Sequence, residues 1–268
     1  MKTPSMLLTI DIGNTNITLG LYEGTKLGAR WRLATDHERM PDEYGIQILG
    51  LLQHGGCSVA QLDGISMASV VPVLTSRLQQ ACRTYFNRPL LIVDESINTG
   101  VKLLVDDPKT VGADRVVDAV AVHKIYGGPA CVVDFGTATT FDAITAAGEY
   151  LGGAIAPGIG ISAEALSSRT AKLPRVDLQM PPSVIGRNTV HAMQAGLMIG
   201  YISMVEGMVK RFRTELGPKM KVIATGGLSE IVAENTEVID ILAPWLTLDG
   251  LRILWELNQE QHAQSADE

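Results

Sequence analysis

The sequence predicts an α/β protein made of two similar lobes. The main observation is a short pattern that occurs twice, at Asp11-Ile-Gly13 and at Asp134-Phe-Gly136. In each copy a run of apolar, β-type residues ends in the acid, and a cluster of hydroxyl or amide side chains follows the glycine. Both copies then continue into further strand-like sequence and into alternating helices and strands, so each half of the chain predicts the same small α/β unit.

Hydrophobic periodicity gives the order of elements in each half. In the first half it predicts strands at residues 6–10, 17–22, 27–33, 62–71 and 90–93, and helices at residues 43–53 and 72–86. After a helix at residues 116–126, the second half has predicted strands at residues 130–134, 139–145, 150–156, 221–224 and 238–241, and helices at residues 157–168, 188–216, 228–235 and 246–257.

Each half of the chain has three predicted strands followed by alternating helices and strands, and each has an acid turn. This arrangement is typical of two ribonuclease-H-like lobes. Such lobes face each other across a nucleotide in actin-like ATPases, and we expect a cleft between them here. We predict the lobes at residues 1–117 and 118–268, with the terminal helix packing at the lobe junction.

The chemistry of the acid–glycine turn favours phosphate. Glycine lets the backbone approach a phosphate closely, and the N–H and hydroxyl groups that follow can donate to its oxygens. The carboxylates of Asp11 and Asp134 are then suited to a cation that neutralises the phosphate. Either acid alone is also compatible with an ordinary hairpin turn, but the duplication favours a phosphate clamp. No G-x-x-x-x-G-K-[ST] pattern is present, so a P-loop kinase is not indicated.

Two further stretches are candidate binding elements. Gly112-Ala-Asp-Arg115 opens a predicted helix, where backbone N–H groups favour an anion. There Arg115 can bind a carboxylate or phosphate, and Asp114 can accept a proton from a hydroxyl nucleophile. The alternative is a common helix-terminal acid beside a surface arginine. Thr225-Gly-Gly227 follows a strand and is either a shelf for adenine or ribose or a plain turn.

Composition excludes several classes of function. The formal net charge of −7 gives no positive field for nucleic acid or for an anionic membrane. The odd number of cysteines (Cys57, Cys82 and Cys131) predicts buried free thiols in a reducing compartment. The first residues reach Asp11 too soon for a signal-peptide core, and no uninterrupted apolar run approaches the roughly 18 residues of a membrane span. We therefore expect a cytoplasmic protein without a nucleic-acid or membrane partner.

Six motifs, in order, resemble those of type III pantothenate kinases, and the similarity runs from about residue 7 to residue 257. The motifs are Asp11-Ile-Gly-Asn-Thr-Asn16, Gly112-Ala-Asp-Arg115, Asp134-Phe-Gly-Thr-Ala-Thr139, Gly152-Gly-Ala-Ile-Ala-Pro-Gly158, Gly186-Arg-Asn-Thr189 and Thr225-Gly-Gly-Leu228.

The resemblance implies phosphorylation of the terminal hydroxyl of pantothenate by ATP, the first step of coenzyme A biosynthesis. It implies Asp114 as the proton acceptor and Asp134 as the ligand of a monovalent cation, K+ or NH4+, with Mg2+ accompanying ATP and with a homodimeric assembly. The implied ATP-binding residues are Asp11, Ile12, Gly13, Asn14, Thr15, Asn16, Ile17, Thr18 and Thr137. The implied pantothenate-binding residues are Val105, Gly112, Ala113, Asp114, Arg115 and Thr189.

One position departs from the family pattern. Seven residues before Gly112 the family commonly has a tyrosine that lines the pantothenate site, and this sequence has Val105. The small apolar side chain predicts a differently shaped pocket, and it is the sequence feature that favours another small hydroxyl substrate. The fold is also compatible with a nucleotide-binding regulatory factor that has lost catalysis, and with an ATP-driven module that changes shape. The presence of Asp11, Asp114 and Asp134 disfavours loss of catalysis.

Overall fold

The computed structural model describes residues 5–264, with side chains as far as Gln259. Its contacts divide the chain into two units. The first contains the residues up to Lys102, Asp106–Lys124 and the residues from Leu246 onward. The second contains Leu103–Val105 and Ile125–Trp245.

The first unit is built on a five-stranded sheet. Its strands are β1 (Met6–Ile12), β2 (Asn16–Glu23), β3 (Lys26–Ala34), β4 (Leu62–Ser69) and β5 (Leu90–Ile92), in the order β3-β2-β1-β4-β5. The strands β1, β2 and β3 are antiparallel neighbours, whereas β4 runs parallel to β1 and β5 parallel to β4. The helices are α1 (Pro41–His54), α2 (Pro72–Ala81, continued by a π-helical turn over Cys82–Phe86), α3 (Ala113–Ile125) and α8 (Leu246–Gln264).

Helices cover both faces of this sheet because the alternation of side chains gives each face a different composition. Leu8, Ile10 and Ile12 point to the face where α1 and α2 pack and form the main apolar core. The opposite face carries small residues, and α8 lies against it. A Cβ on Gly64 would be 1.9 Å from the ring of Trp255, and the Ser66 hydroxyl donates to the carbonyl oxygen of Leu251 at 2.9 Å. Small residues on β4 therefore make room for α8.

The second unit repeats the sheet topology of the first. Its strands are β6 (Ala130–Phe135), β7 (Ala138–Ile144), β8 (Tyr150–Pro157), β9 (Lys221–Thr225) and β10 (Ile241–Leu242), in the order β8-β7-β6-β9-β10. Again the first three strands are antiparallel and the last two are parallel. The helices are α4 (Ile159–Arg169), α5 (Thr189–Gln194), α6 (Gly200–Leu216) and α7 (Ser229–Ala233). This duplication confirms the predicted fold class of two similar α/β lobes.

Apolar residues of α6 supply the core of the second unit. Val205 and Val209 are fully buried and belong to the same apolar cluster as Cys131 and Val133 on β6. These strand residues alternate with Val132 and Asp134, which point to the other face of the sheet. Asp134 is thus at the end of β6, on the face that α6 does not cover.

The observed division of the chain differs from the predicted ranges 1–117 and 118–268. Helix α3 belongs to the first unit as far as Lys124, and so does α8. The packing explains this, since a Cβ on Gly250 would be only 2.3 Å from the carbonyl oxygen of Val117, and the Thr247 hydroxyl donates to Asp118 at 2.8 Å. The last helix, α8, therefore packs in the first unit together with α3.

Other differences concern the ends of elements. The long helix predicted at residues 188–216 is interrupted by a π-helical turn over Ala195–Ile199. The terminal helix continues to Gln264 instead of ending at residue 257. Residues 101–105 form no strand and make only an isolated bridge, from Leu103 to Tyr150.

One helical run, Thr189–Leu216, is long and apolar enough to cross a membrane by length and composition alone. It is the one such run within residues 5–264. Half of its most apolar window (50%) is buried inside the protein, and a core helix passes the same test. The sequence prediction considered only runs of consecutive apolar residues. This helix contains polar residues as well, and only its average hydropathy is high.

The three cysteines are free and buried, which confirms the prediction of buried thiols. Burial raises the pKa of the Cys82 thiol to about 12, and it also raises the pKa of Cys57. A thiol with a raised pKa is a poor nucleophile at neutral pH. The cysteines of this chain are therefore core residues and take no part in the chemistry considered below.

Candidate active site

The first acid–glycine turn is held closed by its own backbone and by Thr35. The N–H of Gly13 donates to the carbonyl oxygen of Asn16 at 3.0 Å. Thr35 donates its N–H to the carbonyl oxygen of Thr15 at 2.9 Å and its hydroxyl to the carbonyl oxygen of Gly13 at 2.6 Å. These bonds occupy the carbonyl oxygens of Gly13, Thr15 and Asn16. The side chains of Asn14, Thr15 and Asn16 are left exposed.

Asp11 lies one residue before the end of β1 and is half-buried. Its cross-strand partner on β2 is Thr18, and its partner on β4 is Ala68. Thr18 in turn pairs with Arg32 on β3. Directly paired residues share a face of the sheet. Asp11, Thr18 and Arg32 therefore form one row across three strands, with an acid, a hydroxyl and a cationic side chain.

Val70 links the start of α3 to the end of β1. The carboxylate oxygen Oδ1 of Asp114 accepts the N–H of Arg115 at 2.8 Å. A Cβ on Gly112 would be 2.5 Å from this oxygen and 3.5 Å from Cγ1 of Val70. The N–H of Val70 donates to the carbonyl oxygen of Ile12 at 3.1 Å. Within the first unit, Val70 thus connects the segment that carries the Asp114 carboxylate to the strand end from which the first turn leaves.

In the second unit, glycine contacts close the corresponding turn. The N–H of Gly136 donates to the carbonyl oxygen of Ala138 at 3.1 Å, and the N–H of Gly158 donates to that of Thr137 at 3.2 Å. A Cβ on Gly158 would be 2.3 Å from the Thr137 carbonyl oxygen, so only glycine fits there. Thr137 itself is exposed at the tip of the turn. The start of α4 is therefore packed against this turn.

Asp134 lies at the end of β6, between β7 and β9. Its partner on β9 is Thr225, and the next residue, Gly226, packs on the acid. Gly226 has a φ of +90°, and a Cβ there would be 2.3 Å from Oδ1 of Asp134. The glycine is therefore required for packing in the strand-to-helix turn. The role of Thr225-Gly-Gly227 as a shelf for adenine or ribose stays a prediction.

The charge of Asp134 reaches the core of its unit. Burial, and to a smaller extent this charge, raise the pKa of Tyr201 to about 12, whereas the hydrogen bond between Tyr201 and Thr139 lowers it. Tyr201 also packs on Phe135, with ring centroids 6.1 Å apart. The side of β6 that faces α6 is thus closed by aromatic packing, and Asp134 points to the opposite face of the sheet.

The remaining predicted residues lie in the second unit. Val105 is in contact with β8, since a Cβ on Gly152 would be 3.4 Å from its Cγ1. Thr189 is exposed at the first position of α5, directly after Asn188, whose side chain accepts the N–H of His191 at 2.9 Å. The predicted pantothenate-binding residues therefore come from both units, with the Gly112–Arg115 segment in the first.

The donor set at Asp134 fits a hard cation. The side chains that pair with it across the sheet belong to Thr140 and Thr225, so its neighbours offer oxygen atoms. Carboxylate and neutral oxygens suit K+ and Mg2+ better than softer metals. Among residues 5–264 no group of three or more His, Cys, Asp or Glu side chains is arranged to hold a metal ion. A cation at Asp134 would therefore depend on additional ligands such as phosphate oxygens.

Comparison with known families matches residues 7–211 to the family described as type III pantothenate kinase. The chain belongs to this family. A type III pantothenate kinase from Roseiflexus sp. (strain RS-1) is 51% identical over 254 residues, which cover 95% of this chain and 100% of the relative. One from Moorella thermoacetica is 50% identical over 253 residues, which cover 94% and 100%. The resemblance seen in the motifs is thus confirmed, and the chain is a kinase of this family.

Solved structures support the fold alone. A structure described as a Baf family transcriptional activator from Campylobacter jejuni matches with a TM-score of 0.61 at 20% identity, over 94% of this chain and 99% of that one. An inorganic polyphosphate/ATP-glucomannokinase from Arthrobacter sp. strain KM matches with a TM-score of 0.50 at 14% identity, over 94% and 99%. Both likenesses extend over nearly the whole type III pantothenate kinase chain.

Sequence reasoning did not identify Thr35, and it did not explain Gly158 and Gly226. The only local signal for Thr35 is a hydroxyl residue at the end of the third strand, which is too common to single out. The two glycines were visible in motifs, but their contacts with Thr137 and Asp134 join residues that are far apart in the sequence.

Replacing Gly226 by alanine is expected to destabilise the protein by about 2 kcal/mol or more, because the new Cβ would meet Asp134 and would require a strained backbone. Chemical denaturation measures this change in the free energy of unfolding. The control is Gly227→Ala, since a Cβ on Gly227 would meet nothing within 4 Å. Its effect is expected to stay within about 0.5 kcal/mol. Equal losses in the two variants would contradict the packing argument.

Proposed function

We propose that this chain transfers the γ-phosphoryl group of ATP to the terminal hydroxyl of pantothenate, forming phosphopantothenate in the first step of coenzyme A biosynthesis. The observation that carries the proposal is that the Asp114 carboxylate lies beside Gly112, which is next to Val70. The N–H of Val70 donates to Ile12 at the end of β1, where the Gly13 turn begins. A carboxylate at that point can accept the proton of a hydroxyl group that attacks a phosphate held by the turn.

The proposed reaction depends on positioning and charge neutralisation, because phosphoryl transfer needs little covalent chemistry from the protein. Asp11 to Thr18 and Thr137 would bind ATP through the two closed turns. Arg115 would bind the carboxylate of pantothenate, and Asp114 would orient its hydroxyl. Mg2+ bound with ATP and a monovalent cation at Asp134, K+ or NH4+, would neutralise charge on the phosphates when present.

The proposed pantothenate-binding residues of the second unit are Val105 and Thr189. Val105 packs on the backbone of β8 at Gly152, and an apolar side chain held there can contact a substrate without a hydrogen bond. The same valine favours the second candidate, a kinase for another small hydroxyl compound. A cytoplasmic location agrees with the three free thiols and with the use of ATP.

We also propose that the chain works as a homodimer through the second unit. The strand β8 is at the edge of its sheet, and Leu151, Ile155 and Pro157 are exposed on one of its faces. Ile155 is 67% exposed, and Ile161 on α4 is also exposed. Exposed apolar side chains along an edge strand are typical of a surface that a partner covers. A second copy of this chain would bury them.

The first test measures ADP release by the purified protein with ATP, Mg2+ and K+, with and without pantothenate. We expect release that depends on pantothenate, with phosphopantothenate detected by mass spectrometry. A pantothenate analogue that lacks the terminal hydroxyl is the control and should give no release above the background. Bound ATP without pantothenate-dependent release would instead favour another acceptor or a regulatory role.

The second test is Asp114→Asn. The amide can still accept the N–H of Arg115, so the start of α3 is preserved while the proton acceptor is removed. Turnover is expected to fall about 10²- to 10⁴-fold, with ATP affinity nearly unchanged. Asp63→Asn, an exposed acid on β4, is the matched control and should keep full activity. Retained turnover in Asp114→Asn would refute its role as the base.

The third test concerns the assembly. Ile155→Lys places a charge on the proposed dimer surface and is expected to shift the mass measured by light scattering from dimer to monomer. The control is Ile46→Lys on α1, since Ile46 is 62% exposed and lies in the other unit. This control should remain dimeric. Dimers that persist in Ile155→Lys, or monomers in both variants, would argue against β8 as the interface.

A further inference from the structure

The two acid turns have the same register, with a threonine opposite each acid. Asp11 pairs with Thr18 across β1 and β2, and Asp134 pairs with Thr140 across β6 and β7. Because paired residues on antiparallel strands share a face, each threonine lies beside its acid. The surroundings of the two threonines differ, and this difference carries the inference.

In the second unit, a buried acid fixes the threonine hydroxyl. The Thr140 hydroxyl donates to Oδ2 of Asp142 at 2.8 Å, and the Tyr150 hydroxyl donates to Oδ1 of the same carboxylate at 2.8 Å. Asp142 is only 2% exposed. With its proton directed at Asp142, the Thr140 oxygen has only lone pairs to offer on its other sides. It can therefore accept a hydrogen bond or bind a cation, but it cannot donate to a phosphate.

We propose that the Thr140 hydroxyl is a further ligand of the cation held at Asp134, and that Asp142 positions this hydroxyl through its hydrogen bond. The inference rests on the cation role of Asp134 in the proposed function and adds a neutral oxygen ligand with its supporting acid. Hydrogen bonds from a second layer of residues orient metal ligands and raise their basicity in the same way. Tyr150 holds the other oxygen of Asp142 and thereby fixes the direction of the carboxylate.

The first unit provides the contrast. The position equivalent to Asp142, two residues after the threonine, is Gly20 in the first unit. The neighbouring strand β3 carries Arg32 opposite Thr18. An arginine in this row favours an anion, whereas an additional buried carboxylate favours a cation. Burial is the main cause that raises the pKa of the Cys131 thiol, and the nearby charge of Asp142 raises it further. The second turn is thus the one suited to the cation.

The experiment measures how K+ raises the melting temperature of the full chain with ATP and Mg2+, in the absence of pantothenate. KCl replaces tetramethylammonium chloride at constant ionic strength, and the K+ concentration that gives half of the rise is determined. For Thr140→Val this concentration is expected to increase about 10- to 100-fold. Thr140→Ser keeps a hydroxyl and should restore K+ binding close to that of the unchanged chain.

Two other variants separate ligand loss from a general structural effect. Thr145→Val is the matched control, since Thr145 also donates to an acid, Glu149 at 3.2 Å, but lies beyond the end of β7. Its half-saturating K+ concentration should be unchanged. Asp142→Asn leaves the Thr140 hydroxyl in place but can donate to it, and K+ binding should weaken there too. A shift in Thr145→Val or in Thr140→Ser as large as that in Thr140→Val would overturn the proposal.

Asp134→Asn distinguishes this inference from the proposed function. If Asp134→Asn abolishes the K+ effect and Thr140→Val leaves it unchanged, Thr140 is not a ligand, while the cation role of Asp134 stands. If the unchanged chain shows no K+ effect at all, both the Thr140 ligand and the cation at Asp134 are refuted. Neither result depends on whether pantothenate is the phosphoryl acceptor.

Discussion

The parallel pairing of β1 with β4, and of β6 with β9, is the constraint on which both acid turns depend. Parallel strands end at the same edge of a sheet, so the residue that leaves one strand lies beside the turn that leaves its neighbour. In the first unit this brings Val70 to Ile12. In the second it brings Gly226 onto Asp134. Without this pairing the acids would end isolated hairpins, and neither Val70 nor Gly226 would have a strand end to pack against.

The sequence predicted what is encoded locally. The three-strand start of each half, the acid turns and the helix at Gly112 are all visible in short patterns, because period-two alternation and turn residues act over a few positions. The position of α8 in the first unit was not predictable in this way. It depends on the fit of Gly64 to Trp255 and of Gly250 to Val117, and a glycine in the sequence does not identify the side chain that it makes room for.

The residues of the candidate site also differ in whether the sequence alone could identify them. Asp11, Asp114 and Asp134 could be named from their motifs, whereas Thr35 and Asp142 could not. Thr35 acts by closing a turn that lies two strands earlier in the chain, through bonds to the backbone of Gly13 and Thr15. In the sequence Asp142 is simply a polar residue within a strand, and only the hydrogen bonds from Thr140 and Tyr150 show that it is a buried acceptor.

A duplicated fold therefore does not imply duplicated chemistry. Both units place a threonine opposite the acid, and the backbone turns are closed in comparable ways by hydrogen bonds to the carbonyls of the turn. The third side chain distinguishes them, because Arg32 in one row supplies positive charge and Asp142 beside the other supplies negative charge. Arg32 is exposed, whereas Asp142 is buried, where electrostatic interactions are stronger, so the proposed preference of the second turn for a cation depends on a buried carboxylate that the first turn lacks.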